Sequence, residues 1–375
     1  MLTHLRDTFL RNAGTNMMSG VTLADWLRIL RDNHFAIDPP YLPRAALISL
    51  SSVSNSLIAA VERLRYGPAI QKTKIESPLF VLGSWRSGTT HLHNLLARDR
   101  RFAFPNLYQV TCPLTFLLTE RRSAPFIDRC VPRRRPQDAV KISVDEPQEE
   151  DFAMCSMAGQ ANLMAWAFPR SAGFYQRYMT LNELSPAELA QWKLSYQHFL
   201  QKLALKYARP LVLKSPSNTG RIKTLLELFP DARFVHIHRH PFEILRSLKH
   251  TIAAAGPWWQ LQRRNYQDNA EVNEQFVQQI RALYDCYFAH RPLIPAGRFC
   301  DIAFADLERD PIGQIRRIYD VLDLPRFELA AQPLQAYVKS LAGYKKNVLP
   351  DLSEAVRQHL RREWRQYFDE WGYAA

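Results

Sequence analysis

The chain has 375 residues, 47% hydrophobic and 23% charged, and a net charge of +13 from 49 Lys and Arg against 36 Asp and Glu. That composition fits a soluble globular protein with room for a large α/β core, and it excludes a disordered or fibrous chain. The basic residues are scattered apart from Arg133, Arg134 and Arg135, and no zinc-finger or RNA-recognition pattern occurs, so nucleic acid is not expected as a partner; the surplus of arginine suits a polyphosphorylated ligand instead.

The opening segment, MLTHLRDTFLRNAG, lacks the apolar core of a secretory signal. Residues 1–75 predict a helical N-terminal extension packed on the core. Within it, Leu50, Val53, Leu57, Val61 and Leu64 recur at helical spacing after Pro39, Pro40 and Pro43. The expected role of this stripe is to cover a sheet edge. A lid or membrane-facing element is the alternative. Residues 45–61 form one of the longest charge-free runs, but five serines and an asparagine make it a poor transmembrane span. The five cysteines, Cys112, Cys130, Cys155, Cys286 and Cys300, are odd in number and lack C-x-x-C spacing, which implies free thiols in a reducing compartment. The expected location is cytoplasmic, with peripheral contact to a membrane left open.

Residues 76–375 read as one α/β domain. Residues 77–83, SPLFVLG, form a short apolar run between a proline and a glycine, as a buried strand does. A polar turn follows, and then Leu92, Leu95 and Leu96 at helical spacing. Ser185, Pro186 and Glu188 make a capping box ahead of a helix carrying Leu189, Trp192, Tyr196, Phe199 and Leu203 on one face. Short strands are predicted at 211–213, 234–237 and 299–304. Helices are predicted after each of them, with a last helix over 353–371 bearing Val356, Leu360, Trp364, Phe368 and Trp371 on one side. Strands alternating with helices predict a parallel sheet flanked by helices, with helical additions at both ends.

The turn after the first strand reads Gly83-Ser84-Trp85-Arg86-Ser87-Gly88-Thr89-Thr90. Successive backbone N–H groups at a helix N-terminus make an anion nest, and Arg86 adds a planar fork suited to phosphate or sulfate. A nucleotide triphosphatase loop requires lysine after the second glycine, and Thr89 stands there. The sequence W-R-S-G-T-T instead resembles the P-[KR]-S-G-[TS]-[TS] loop of the sulfotransferases that use 3′-phosphoadenosine 5′-phosphosulfate (PAPS). The resemblance implies a P-loop-type fold. It also implies that Arg86, Ser87, Gly88, Thr89 and Thr90 bind the 5′ end of PAPS. The tryptophan that stacks on adenine in the phenol and steroid branch is replaced here by His91.

A second family signature, a strand followed by Arg-x-Pro with serine eight residues after the arginine, is matched by Arg239, Pro241 and Ser247. The resemblance assigns Arg239 and Ser247 to the 3′-phosphate. Lys345 and Lys346 are assigned to a late loop that closes over it. Lys214-Ser215-Pro216 looks like the Lys-[ST]-Pro segment of the carbohydrate branch, which gives Lys214 a charge-stabilising role. No metal is expected, and PAP is the expected product nucleotide.

The family's usual general base is missing after the phosphate-loop helix, where Arg101-Phe102-Ala103-Phe104 stands. The block 145–151, DEPQEED, looks like one found in a bacterial sulfotransferase group, and Glu149 and Glu150 are the first candidates, with His91 and His93 in reserve. The same acids would equally complement a helix dipole. The apolar stretch 152–168 follows them, including Met154, Met157, Leu163, Met164, Trp166 and Phe168. It could line a pocket for a small-molecule or lipid hydroxyl, or simply be core. The expected activity is sulfuryl transfer from PAPS to a lipid, phenol or sugar hydroxyl. The alternatives are a P-loop kinase and a PAP-binding module without catalysis.

Overall fold

The computed structural model describes residues 17–130, 143–157, 159–264, 270–343, 347 and 349–374. Packing groups the chain into two interleaved units. One holds the residues up to Lys74, Pro105–Lys206 and Ile252–Gln267; the other holds Ile75–Phe104, Tyr207–Thr251 and Asp268–Ala375. The expected division into 1–75 and 76–375 cuts the chain once, whereas these units draw together segments far apart in sequence.

The second unit is built on a four-stranded parallel sheet, in the order β2-β1-β3-β4. Its strands are β1 (Leu79–Leu82), β2 (Val212–Lys214), β3 (Arg233–His238) and β4 (Phe299–Ala303). Leu79 pairs with Val212 on one side and Arg233 on the other, and Val235 pairs with Cys300. Side chains alternate between the two faces of a strand. On one face Leu79, Val81, Val235, Ile237, Cys300 and Ile302 pack with Leu92, Leu95 and Leu96 of α3 (Thr89–Leu96) and with Ile315, Ile318 and Tyr319 of α12 (Pro311–Val321). On the other face Phe80 stacks on Phe234 and meets Phe229 at a tilt, and His236 lies against Tyr284 and Tyr287 of α10 (Ala270–His290). Helices therefore cover both faces, and the expected P-loop-type α/β class holds. All four predicted strands form, each within a residue or two of its expected place.

The last helix differs from expectation. It breaks at Trp364 (φ −110°, ψ 28°) into α14 (Glu354–Glu363) and α15 (Arg365–Trp371). The Trp364 indole donates to the carbonyl of Val277, and Tyr367, which at helical spacing falls within the same apolar arc as Leu360, Trp364 and Trp371, is buried.

The first unit is helical. Its α1 (Leu23–Asp32) and α2 (Leu42–Lys72) are tied by Trp26 Nε1 donating to Ser49 Oγ and by the Leu23 N–H donating to Ser56 Oγ, both at 2.8 Å. α2 buries Arg44, Ala45, Ile48, Ser52, Glu62 and Ile70. Glu62 forms a buried ion pair with Lys202 of α7 (Pro186–Tyr207) and accepts from the Leu118 N–H. The predicted stripe is on the opposite side. Leu50 is 72% exposed and Leu64 82%, and Val53, Leu57 and Val61 are also exposed. The expectation that these residues cover a sheet edge is thus incorrect: the helix is held by its small and polar face, and its leucines face out. By contrast, Trp192, Tyr196, Phe199 and Leu203 of α7 are buried as predicted, behind the Ser185–Glu188 capping box.

Candidate active site

Three strands of the sheet unit end at one edge, β1 at Leu82, β2 at Lys214 and β3 at His238, and the candidate residues follow directly from them. Parallel sheets place ligands at the carboxyl ends of their strands. The turn after β1 depends on its two glycines. Gly83 has φ +141°, and a Cβ there would lie 2.6 Å from the Ile237 carbonyl. Gly88 has φ +107° and caps α3, and a Cβ there would lie 2.3 Å from Cδ2 of Phe304. Between them Arg86 adopts φ +68°, a conformation that non-glycine residues rarely take. Ser87 closes the turn from within, its N–H and Oγ both donating to the Ser84 carbonyl at 3.2 and 2.9 Å. Its hydroxyl is therefore committed to loop shape rather than turned to a ligand. Thr89 is buried and Thr90 half-buried at the start of α3.

Arg86 and Arg239 come together. Arg86 Nε donates to Ser247 Oγ at 2.8 Å, and Arg239 Nη1 donates to the Arg86 carbonyl at 3.2 Å. The two expected anion sites thus form one continuous cluster of cations. Arg239 lies over the ring of Phe304, its Cζ 4.6 Å from the centroid, and contacts Glu243 at 3.4 Å. Burial pulls its guanidinium below the ordinary arginine range; Glu243 opposes that shift and the neighbouring charge of Arg86 adds to it. Two guanidinium groups in a partly dry cluster favour an anion between or beside them. Lys214, 3% exposed, donates to Thr90 Oγ1 at 3.4 Å, which places its ammonium at the start of α3.

Lys345 and Lys346 lie outside the described residues. The segment after them is tethered to the cluster: Arg246, next to Ser247, donates to the carbonyls of Leu349 and Pro350.

Two of the base candidates change character. His93 is buried and in hydrogen-bond reach of the Val212 carbonyl at 3.3 Å; burial, then Lys214, drive its pKa down to about 3, so it is a neutral structural residue. Burial also pulls His91 down. Glu149 and Glu150 belong to the other unit, at the start of α6 (Asp151–Ser156). Glu150 is fully buried and accepts from the Tyr196 hydroxyl at 3.0 Å, whereas Glu149 is half-buried. Met154, Met157, Leu163, Met164 and Phe168 are buried in the core of that unit, and Trp166 is half-buried.

Several supporting residues were not legible beforehand. Thr219 Oγ1 accepts from the Gly83 N–H at 2.7 Å. Tyr284 Oη accepts from the Ser84 N–H at 3.3 Å and reaches His236 Nε2 at 3.4 Å. His236 Nδ1 is 2.8 Å from Asp301, which also accepts from the Trp371 indole. Burial pushes the Asp301 carboxyl up, and its His236 and Trp371 partners outweigh this and hold it below the ordinary range. Tyr367 braces Arg239 twice, accepting from its N–H and donating to its carbonyl. Thr219 carried a signal in being close to the Lys214-Ser215-Pro216 segment, and Tyr367 in falling on the apolar face of the last helix. Tyr284, His236 and Asp301 are brought in by strand register and helix packing.

A strand, a glycine-pinned turn, a helix N-terminus and two converging arginines define an α/β transferase that grips an anionic group at the carboxyl edge of its sheet. Residues 78–328 match the model of the sulfotransferase family. The chain belongs to that family. Over 355 residues it is 32% identical to the omega-hydroxy-beta-dihydromenaquinone-9 sulfotransferase Stf3 of Mycobacterium bovis, covering 94% of this chain and 90% of that one; the Mycobacterium tuberculosis counterpart matches equally. The crystal structure of sulfotransferase STF9 from Mycobacterium avium superposes with a TM-score of 0.73 at 20% identity over 97% of this chain and 96% of that one. STF1 from Mycobacterium tuberculosis gives 0.65 at 19% identity over 91% of each. These two structures carry the fold; the family match and the Stf3 relative carry the activity. The protein is a sulfotransferase, which transfers a sulfuryl group to an acceptor hydroxyl.

Proposed function

We propose that the donor is PAPS and that the acceptor is a hydroxyl on a long apolar lipid. The observation that carries the donor assignment is the convergence of Arg86, Arg239 and Ser247 at the end of the glycine-pinned turn. A phosphate at each end of the donor asks for two cationic grips, and the backbone N–H groups that open α3 offer an anion nest beside them.

When bound, PAPS supplies the activated sulfuryl group and a phosphate leaving group. Arg86, the N–H groups opening α3, and the Thr89 and Thr90 hydroxyls hold its 5′ end. Arg239 and Ser247, with Lys345 and Lys346, hold the 3′-phosphate. Lys214 stabilises the negative charge that grows on the leaving oxygen. As the bond from acceptor oxygen to sulfur forms, the bond from sulfur to the 5′-phosphate oxygen breaks, and the acceptor's proton passes to a base. Positioning and charge stabilisation do most of the work in such transfers.

The lipid acceptor draws on the name of the Mycobacterium bovis relative, whose similarity extends over nearly the whole chain. Thermal unfolding with PAP, ATP and GTP tests the donor. PAP alone is expected to stabilise the protein strongly, and Arg239→Ala to remove that stabilisation. A response to ATP alone, or a PAP response that survives in Arg239→Ala, rejects the assignment. Transfer of labelled sulfate from PAPS into lipid, sugar and phenol extracts tests the acceptor, and label in the sugar or phenol fraction alone rejects the lipid.

A further inference from the structure

We propose that α2 docks the protein on an anionic membrane surface, with its exposed leucine stripe entering the lipid interface. α2 has 31 residues, and the segment Pro39–Lys72 is long and apolar enough to cross a membrane, yet only 17% of its most apolar window is buried. At 3.6 residues per turn, Leu42, Leu50, Val53, Leu57, Val61 and Leu64 fall within an arc of roughly 100° running about 33 Å along the helix. All six are more than 45% exposed. Leu23 and Leu27, one turn apart on the neighbouring α1, are exposed as well. Contiguous apolar surface of this extent marks an interaction site.

The helix lies on the surface of its unit rather than spanning a bilayer. Its opposite side carries Arg44, which donates to the Gln260 carbonyl, and Glu62, which is paired with Lys202. Both are buried in protein, so the helix cannot be surrounded by lipid.

Charge selects the occupant. Glu62 is the sole acid in the sequence of α2, and it is turned inward. The exposed charges of the helix are Arg63, Arg65 and Lys72, with Lys74 and Glu76, also exposed, just beyond its end. Arg65 and Lys72, two turns apart, border the leucine stripe. A second copy of α2 would offer these cations no exposed carboxylate in either direction of pairing, and would set like charges together in a parallel one. An anionic lipid surface under the stripe meets Arg65 and Lys72, and a basic margin beside an apolar face is the pattern of helices that lie in the membrane interface.

The test is sedimentation of the full-length protein with vesicles of phosphatidylcholine mixed with phosphatidylglycerol, and with phosphatidylcholine alone. The protein is expected to pellet with the mixed vesicles and less with neutral ones. The triple variant Leu50→Gln, Leu57→Gln, Leu64→Gln is expected to bind the mixed vesicles at least about tenfold more weakly. It should keep its circular dichroism and its thermal response to PAP, because the three side chains touch no core. Arg65→Gln with Lys72→Gln is expected to remove the preference for anionic vesicles. The proposal is overturned if neither vesicle type pellets the protein, or if the protein sediments as a dimer that the triple variant converts to a monomer. Because no donor or acceptor is present in the measurement, its outcome is separate from that of the lipid-acceptor assignment.

Discussion

Replacing Gly88 with alanine should damage the site in two ways that can be measured apart. The residue sits at φ +107°, where an L side chain is strained by about 1–3 kcal/mol. The new methyl would lie 2.3 and 2.8 Å from two ring carbons of Phe304, the nearer of them more than an ångström inside ordinary contact, so the ring must move. That ring lies 4.6 Å beneath the Arg239 guanidinium, and losing the stack costs about 0.5–2 kcal/mol more. The expected loss is therefore about 2–5 kcal/mol in urea unfolding, together with weaker PAP binding by calorimetry, because Arg239 loses its support. Phe304→Ala gives the second arm of a double-mutant cycle. In that background Gly88→Ala should cost the backbone strain alone, and PAP affinity should fall little further. An equal cost in both backgrounds would show that the ring contact is not how the loop and Arg239 are coupled.

Three other outcomes follow from the same geometry. Tyr284→Phe leaves the Ser84 N–H without its acceptor and should cost about 1–3 kcal/mol in unfolding, with a raised KM for the donor; an unchanged KM would remove Tyr284 from the support of the turn. Glu150→Gln should lower stability in urea unfolding, since it weakens the bond from Tyr196; an unchanged stability would show that this bond contributes nothing. Arg177 and the Ser185 N–H and hydroxyl hold the Glu188 carboxyl at about 2, against an ordinary 4.5. Because the folded value is depressed, its contribution is complete above pH 4.5 and disappears as pH falls towards 2; the difference in Tm between the wild type and Glu188→Gln should shrink across that window.

The strands and the two anion-binding motifs were readable because they are local. The apolar run before Gly83, the Gly88-Thr89-Thr90 helix start, and the spacing of Arg239, Pro241 and Ser247 each lie within one strand–turn–helix unit. That Arg86 reaches Ser247 was not readable, because it depends on β1 and β3 being paired in register. Tyr284, His236 and Asp301 come from α10, β3 and β4, and only the folded sheet makes them neighbours of Ser84. The leucine stripe of α2 had the period of a core-facing helix, and periodicity reports that one face is apolar without saying what covers it. The polar residues on the other face, Arg44, Ser52 and Glu62, become core residues because Gln260 and Lys202 meet two of them. Glu150 stands in an acidic block in the sequence, and that block gives no sign that the residue is buried with the Tyr196 hydroxyl donating to it.

The central strand β1 hydrogen-bonds to no segment near it in sequence; its partners begin at Val212 and Arg233. On a ribosome adding about 5–20 residues per second, Leu79–Leu82 emerges on the order of ten seconds before either neighbour. During that interval four consecutive apolar residues present bare edges to any other extended chain. Fragments ending before Val212 should therefore aggregate rather than fold, and expression of the whole chain should respond to slower synthesis or to added holdase chaperone more than its size alone would suggest.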